Sequence, residues 1–237
     1  MSNVINAVLS RQVSLERELA SLANNIANAS TAGYRRDTHI FSEYVNALRG
    51  EPSLSQTRIG GRAISAEQGE LTATNAPFDL AIEGPGFFVV QTPEGQRLTR
   101  AGAFLRNEQG VLANADGDVL SGEGGGAIAI PNSAGAVAIA DDGVVSADGE
   151  VLGQIRIVNA DPTTLQREGD TRFRTDAPLI ESQASIRQGF IEQSNVEPVI
   201  ELARLIEVQR SFELGQQLVN REGERVERAI SVIGGQS

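Results

Sequence analysis

Over the last forty residues the apolar positions recur at sevens: Leu205, Phe212, Val219, Val226 and Ile233, with Leu202, Val208 and Ile230 three or four positions from members of that row. A seven-residue repeat draws a narrow stripe along a helix, the geometry of a coiled-coil seam rather than a broad globular face. Pro198 suits a first helical position, where no amide hydrogen is needed, and Gly234 and Gly235 suit a stop. The helix so bounded is about 54 Å long at 1.5 Å per residue. Gly215 and Gly223 each weaken it by roughly 1 kcal/mol relative to Ala, tolerable where a neighbour packs closely. A second stripe, Val4, Val8, Leu15, Leu19, Leu22 and Ile26, has three-four spacing and runs toward Gly33, which can close a helix in the left-handed conformation. Matching stripes at both ends predict an antiparallel pair made by the two termini.

Between them the period changes. Residues 34–70 hold one short apolar segment around Phe41, Tyr44, Val45 and Leu48, then Pro52, Gly60, Gly61 and Gly69. They read as a connecting region with extended pieces. From Leu71 the alternation is two-fold: Phe78, Leu80 and Ile82, then Gly84-Pro85-Gly86 turning into Phe87-Phe88-Val89-Val90, and later Ile128 and Ile130, Val137 and Ile139, Ile155 and Ile157. Pro93-Glu94-Gly95, Asp116-Gly117, Asp141-Asp142-Gly143, Asp148-Gly149 and Asp161-Pro162 punctuate these runs as turns. The expected fold class is α+β: long N- and C-terminal helices (1–33 and 196–237) paired as a coiled-coil-like domain, a connecting region at 34–70, and a central all-β domain of short hairpins at 71–195.

Composition narrows the chemistry. Of the formal charge of −11, the first 36 residues carry +2 and residues 196–237 carry −2, so the middle holds the whole excess. A polyanionic middle without basic runs makes nucleic acid and anionic lipid poor partners. Cysteine and lysine are absent, which removes disulfides, thiolate metal sites, a phosphate-loop lysine and Schiff-base chemistry. The first twenty residues lack the basic head and unbroken apolar core of a signal peptide, and no stretch is long and apolar enough for membrane insertion. No cofactor is expected.

Three segments carry a family resemblance. LASLANNIANASTAGYRR, from Leu19 to Arg36, resembles the N-terminal signature of the flagellar rod and hook family of axial proteins. NAPFDLAIEGPGFFVVQTPEGQRLTRAGAF, from Asn75 to Phe104, is similar to its first β segment, and QGFIEQSNVEPVIELARLIEVQRSFEL, from Gln188 to Leu214, to its C-terminal signature. Many relatives have Asp where this chain has Pro85. The chain lacks the length for a hook subunit's outer domains; the SNVEPV wording favours a proximal-rod position, with a distal-rod paralogue as the alternative. The resemblance implies unfolded export through the flagellar type III apparatus without a cleaved signal. It also implies periplasmic assembly with copies of itself and neighbouring rod proteins, terminal helices lining the tube and β domains outside, and torque transmission from motor to hook.

The residues expected to carry assembly are Leu15, Leu22, Ile26, Leu205, Phe212, Val219 and Val226 on the two stripes, with Asn24, Asn25 and Asn28 bonding across to neighbours. His39, the single histidine, makes no metal set and reads as a surface or interface residue. The Gly122–Gly126 run lacks the lysine and following helix of a phosphate loop and reads as a turn, and the Asp-Gly pairs read as hairpin turns rather than calcium loops. Two other classes compete: a monomeric β-domain binding module with its terminal helices paired internally, and a cell-wall glycan hydrolase using two carboxylates. The absence of tryptophan and the scarcity of aromatic surface count against the hydrolase.

Overall fold

A computed structural model describes residues 2–46, 54–131 and 133–234. The chain forms two compact units, one of Met1–Ile26, Asp37–Arg62 and Glu197–Ser237, the other of Ala27–Arg36 and Ala63–Val196. The first holds almost all of the two α-helices, α1 (Ser2–Ala27) and α2 (Pro198–Gly234), and a two-stranded sheet of Asp37–Asn46 and Leu54–Ile64. These two strands occupy much of the segment read from sequence as connecting.

The second is a β unit organised around Phe87–Thr92. Its neighbours in a nine-stranded sheet are Gly95–Thr99, Val119–Leu120 and Ile157–Asn159, all antiparallel. Alternation along this strand explains its unbroken apolar run: Phe88 and Val90 enter one apolar cluster with Leu80, Ile82, Phe104 and Ile186, whereas Phe87 and Val89 enter a second with Leu98, Val158 and Phe173. A strand buried on both faces has no polar side to show. Edge-on ring pairs, Phe88–Phe104 at 5.6 Å and Phe87–Phe173 at 5.7 Å, lie in the respective clusters.

The turns follow their chemistry. Asp148-Gly149, both at positive φ, forms the two-residue hairpin between Val144–Ala147 and Glu150–Gln154, with Ala147 opposite Glu150. Asn114 Oδ1 accepts from the amides of Asp116 and Asp118 and builds the preceding turn, and Glu123–Gly125 is one 3₁₀ turn.

Two expectations are corrected. The chain is mainly β with two helices, and those helices do not form a coiled-coil-like pair. Both apolar clusters among the described residues belong to the β unit. Among the described side chains of the expected stripes, Leu22 and Val208 alone are buried, while Leu15, Leu205, Phe212 and Val219 are half-buried. The physical reason is the face that α1 turns inward, which carries Gln12, Glu18, Ser21 and Asn25, all buried. A polar row cannot supply knobs for an apolar seam. Nor does α1 reach Gly33: it ends at Ala27, where Asn28 draws the chain into a turn with its carbonyl accepting from Thr31 N (3.1 Å) and its Oδ1 from Thr31 Oγ1 (3.1 Å). Gly33 does hold a left-handed φ of 71°, within the β unit, where a Cβ would come within 2.2 Å of Ala101 N.

Candidate assembly surface

In the helical unit, α1 and α2 meet along a ladder of polar contacts. Gln12 Nε2 donates to Phe212 O at 3.0 Å, and Gly215 lies against the same carboxamide, where a Cβ would stand 2.3 Å from Nε2. Further along, Arg204 donates from Nε and Nη2 to Glu18 Oε1 at 3.0 and 2.9 Å. Asn25 closes the ladder: its Nδ2 donates to Glu201 Oε2 (3.1 Å) and to Asp37 O (3.0 Å), and its Oδ1 accepts from Asp37 N (2.9 Å). The order of these rungs makes the helices antiparallel.

The other side of α2 is open and carries exposed apolar side chains among charged and polar ones, Glu207, Arg210, Glu213 and Gln217 included. At roughly 100° per residue, Val199, Leu202, Ile206, Leu214 and Leu218 fall within one arc of about 160°, opposite Glu201, Leu205, Val208, Phe212, Gly215 and Val219. All five are exposed, Leu214 to 66% and Val199 to 81%. On α1, Leu9 and Val13 are exposed as well. Among the described residues eight of the eleven exposed large apolar side chains, Ile200 included, sit on these two helices. A concentration of this kind marks an association surface. On its flank a cavity of about 350 Å³ opens, lined by Val8, Arg11, Gln12, Leu15, Ser211, Leu214, Gly215 and Leu218.

The β unit holds the segments adjoining both helices. Gly33 N donates to Glu192 O (2.7 Å), Arg36 N to Asn195 Oδ1 (2.6 Å) and Asn195 N to Tyr34 O (3.4 Å). Beneath them lies a buried charge triad. Glu192, 1% exposed, accepts from Arg35 Nη1 through Oε1 and from Arg100 Nη1 through Oε2, each at 2.9 Å, and Gly69 N adds a third bond at 3.0 Å. The guanidiniums are held further by carbonyls, Arg35 by Glu67 and Ala66, Arg100 by Ile82 and Gly84. Burial pulls Arg35 down to about 10, with Glu192 opposing and the Arg100 charge adding to the fall; burial lowers Arg100 in the same way against Glu192. Such a triad is a fastening, since neither chain segment can leave without stranding a buried charge.

The residues singled out in the sequence are distributed unevenly. Leu22, Asn25 and Asn28 are buried, and Leu15, Asn24, Ile26, Leu205, Phe212 and Val219 are half-buried. The side chains of Val226 and His39, together with Leu48 and Gly235, lie outside the described residues. The outward row Val199, Leu202, Ile206, Leu214 and Leu218 was missed apart from Leu202, because it runs off the heptad; its own three-four spacing was the available signal. Glu192 and Arg100 had no local signal at all.

Three family models match in order: the flagella basal body rod protein over residues 5–35, the flagellar hook protein FlgE/F/G D1 domain over 81–147, and the flagellar basal body rod FlgEFG protein C-terminal over 187–232. These take in most of α1 and α2 and the central strands of the β unit. The flagellar basal-body rod protein FlgF of Caulobacter vibrioides is 38% identical over 99% of both chains, and that of Mesorhizobium japonicum 36% identical over the full length of both. The flagellar basal-body rod protein FlgG of Bacillus subtilis is 27% identical over 94% of this chain and 96% of its own. With full-length identity at this level and the three matches in sequence order, the chain belongs to the flagellar basal-body rod protein family.

Proposed function

We propose that this chain polymerises in the proximal rod through its helical unit, with the outward face of α2 as the principal contact. Membership of the family makes it a FlgF-like structural subunit of the flagellar basal body that assembles with other flagellar rod proteins. The observation that carries the helical contact is the exposed apolar face of α2, which nothing within the chain covers among the described residues. In this reading residues 1–33 and 196–237 form the assembly core, 34–70 connect, and 71–195 form the β domain. Leu205, Phe212 and Val219 lie on the opposite side of α2 and, in this reading, support the contact from behind together with Leu15, Leu22, Ile26, Asn24, Asn25 and Asn28.

The role is mechanical rather than catalytic. Copies of the chain meet each other and neighbouring rod proteins, and torque enters through the helices. The fastened segments around Gly33, Arg36 and Asn195 give the β unit a stiff hold on load arriving along the chain from either side. Export unfolded through the flagellar type III apparatus, without a cleaved signal, delivers the chain to the periplasmic rod. No helix among the described residues is long and apolar enough to cross a membrane.

The test is sedimentation and electron microscopy of the purified chain, alone and with another rod-family protein, beside mass spectrometry of basal bodies. Helical polymer and an intact N-terminus are expected. A chain that stays monomeric in both mixtures would refute polymerisation, and a shortened N-terminus would refute export without cleavage.

A further inference from the structure

We propose that the hairpin tip Asp148-Gly149 is a site of spontaneous covalent modification, where the main chain of the folded β unit rearranges to an isoaspartyl linkage. The chain has three Asp-Gly pairs, Asp116-Gly117, Asp142-Gly143 and Asp148-Gly149, and no Asn-Gly pair. A glycine, having no Cβ, leaves its amide nitrogen free to approach the carboxyl carbon of the preceding side chain. In the first step that nitrogen bonds to Cγ of the aspartate. The carboxyl hydroxyl leaves with the amide hydrogen as water, closing a five-membered imide. Water then adds across the bond between the nitrogen and the α-carbonyl carbon, its hydroxyl going to carbon and its hydrogen to nitrogen. The main chain now runs through Cβ and Cγ, and a free carboxyl stands on Cα. One water leaves and one enters, nothing is oxidised or reduced, and the mass of the chain is unchanged.

The fold, not the dipeptide, separates the three sites. Gly143 is buried and its N donates to Ala140 O at 2.8 Å, while Asp142 Oδ1 accepts from Val144 N at 3.1 Å. Gly117 N donates to Asn114 O at 3.0 Å. A nitrogen held in such a bond must break it before it can turn toward Cγ. Gly149 N makes no backbone bond among the described residues, and a Cβ on Gly149 would meet nothing within 4 Å. Asp148, Gly149 and Glu150 are all exposed, so water reaches the ring. The carboxyl is held as well. Gly135 N donates to Asp148 Oδ2 at 3.0 Å, and Gly135 has no side chain to displace the group, a Cβ there standing 3.0 Å from Oδ1. An N–H on a carboxyl oxygen stabilises the negative charge that gathers there as the nitrogen adds. Asp148 is also kept at a φ of 50°, a left-handed conformation that side-chain-bearing residues adopt at a cost. The extra main-chain carbon of the isoaspartyl form releases that constraint.

The test is to age the full chain in heavy-oxygen water, one sample folded and one in urea, with far-ultraviolet circular dichroism confirming the two states. Trypsin would leave all three pairs on one peptide, since no Arg or Lys lies between Arg106 and Arg156. Digestion therefore uses a protease that cuts before aspartate but not before isoaspartate, and mass spectrometry locates the uncut sites and the incorporated oxygen. In the folded chain isoaspartate is expected at residue 148 about fivefold faster than at 116 or 142, the weight of one hydrogen bond on the attacking nitrogen. In urea the three sites are expected to convert at similar rates. Asp116 or Asp142 converting as fast as Asp148 in the folded chain would overturn the site. An Asp148 that stays intact in the folded sample while the urea sample converts would overturn it too, by showing that the hairpin protects its tip. The same bias in urea would assign the preference to neighbouring sequence and remove the role of the fold.

Discussion

Glu192→Gln is the sharpest perturbation the β unit offers. The carboxylate is 1% exposed and stands between Arg35 and Arg100, both as deeply buried, with Gly69 N as a third donor. The amide keeps the volume and one acceptor oxygen but removes the charge, leaving two guanidiniums buried without a counter-ion. Breaking a buried pair in this way costs roughly 3–5 kcal/mol. At about 2–4 °C per kcal/mol for a chain of this length, the unfolding midpoint of the β unit falls by about 6–20 °C. With no tryptophan in the chain, far-ultraviolet circular dichroism in a urea series or a thermal scan is the suitable readout. The pH dependence provides a second check. Arg35 sits at about 10 in the folded chain, below its ordinary value in the unfolded chain, so the unfolded chain binds more protons only between those two values, and stability gains from this group as pH rises through that window. Below it Arg35 is charged in both states, and its contribution is level between about pH 6 and about pH 9. A loss below about 1 kcal/mol would refute the triad as a fastening, and so would a penalty that varies strongly across that neutral range.

Other substitutions separate the roles of the two units. Leu202→Asp with Ile206→Asp is expected to abolish sedimentable polymer while leaving the thermal midpoint within about 2 °C, since exposed sites away from structural features contribute about 0.5 kcal/mol or less; unchanged polymer would exonerate the outward face. Gly102→Ala would place a Cβ 1.6 Å from Leu80 O, where Leu80 N also donates to Gly102 O at 2.9 Å, and should cost roughly 4 kcal/mol or more by urea titration. Asn25→Ala should cost the helical unit about 2–3 kcal/mol, because it removes three buried hydrogen bonds, to both backbone groups of Asp37 and to one carboxylate oxygen of Glu201, whereas Arg204→Ala, at a side chain 56% exposed, should cost under about 1 kcal/mol. Equal losses in these last two would show that the ladder is not graded by burial.

What was legible in the sequence was local. Pro198 begins α2, the Asp148-Gly149 pair makes a two-residue hairpin, and Phe87 to Val90 is buried on both faces of its strand. Each rests on residues adjacent in the chain. The coiled-coil expectation failed because the apolar stripe was read without the row beside it: Glu18, Ser21 and Asn25 share a face of α1, and of these only Asn25 was singled out, as a contact to a neighbouring subunit. Glu18 with Arg204 and Asn25 with Glu201 are 186 and 176 positions apart, beyond any spacing rule. The triad was invisible for the same reason, since Arg35 and Glu192 lie 157 positions apart and nothing in RR or in FIEQ announces a buried charge. The close approaches at Gly33 and Gly102 are equally long-range, and a glycine in sequence does not say which backbone lies against it.

The division between a dry β unit and a polar-laddered helical unit has a consequence for assembly. The two apolar clusters lie in the β unit, so its stability is set within one chain. The helices bury polar groups against each other and leave Val199, Leu202, Ile206, Leu214 and Leu218 in water, so the apolar burial that would hold them firmly is available only from a neighbour. A contact made by the folded helices and not by their unfolded state stabilises them by mass action. Hydrogen exchange measured as a function of protein concentration separates the two behaviours: α2 amides should slow by an order of magnitude or more as polymer forms, while the amides of Phe88 and Val90 should exchange at the same rate throughout. If the amides of α2 are already as protected as those of Phe88 in dilute monomer, the helical unit is self-sufficient and its exposed face is not what stabilises the polymer.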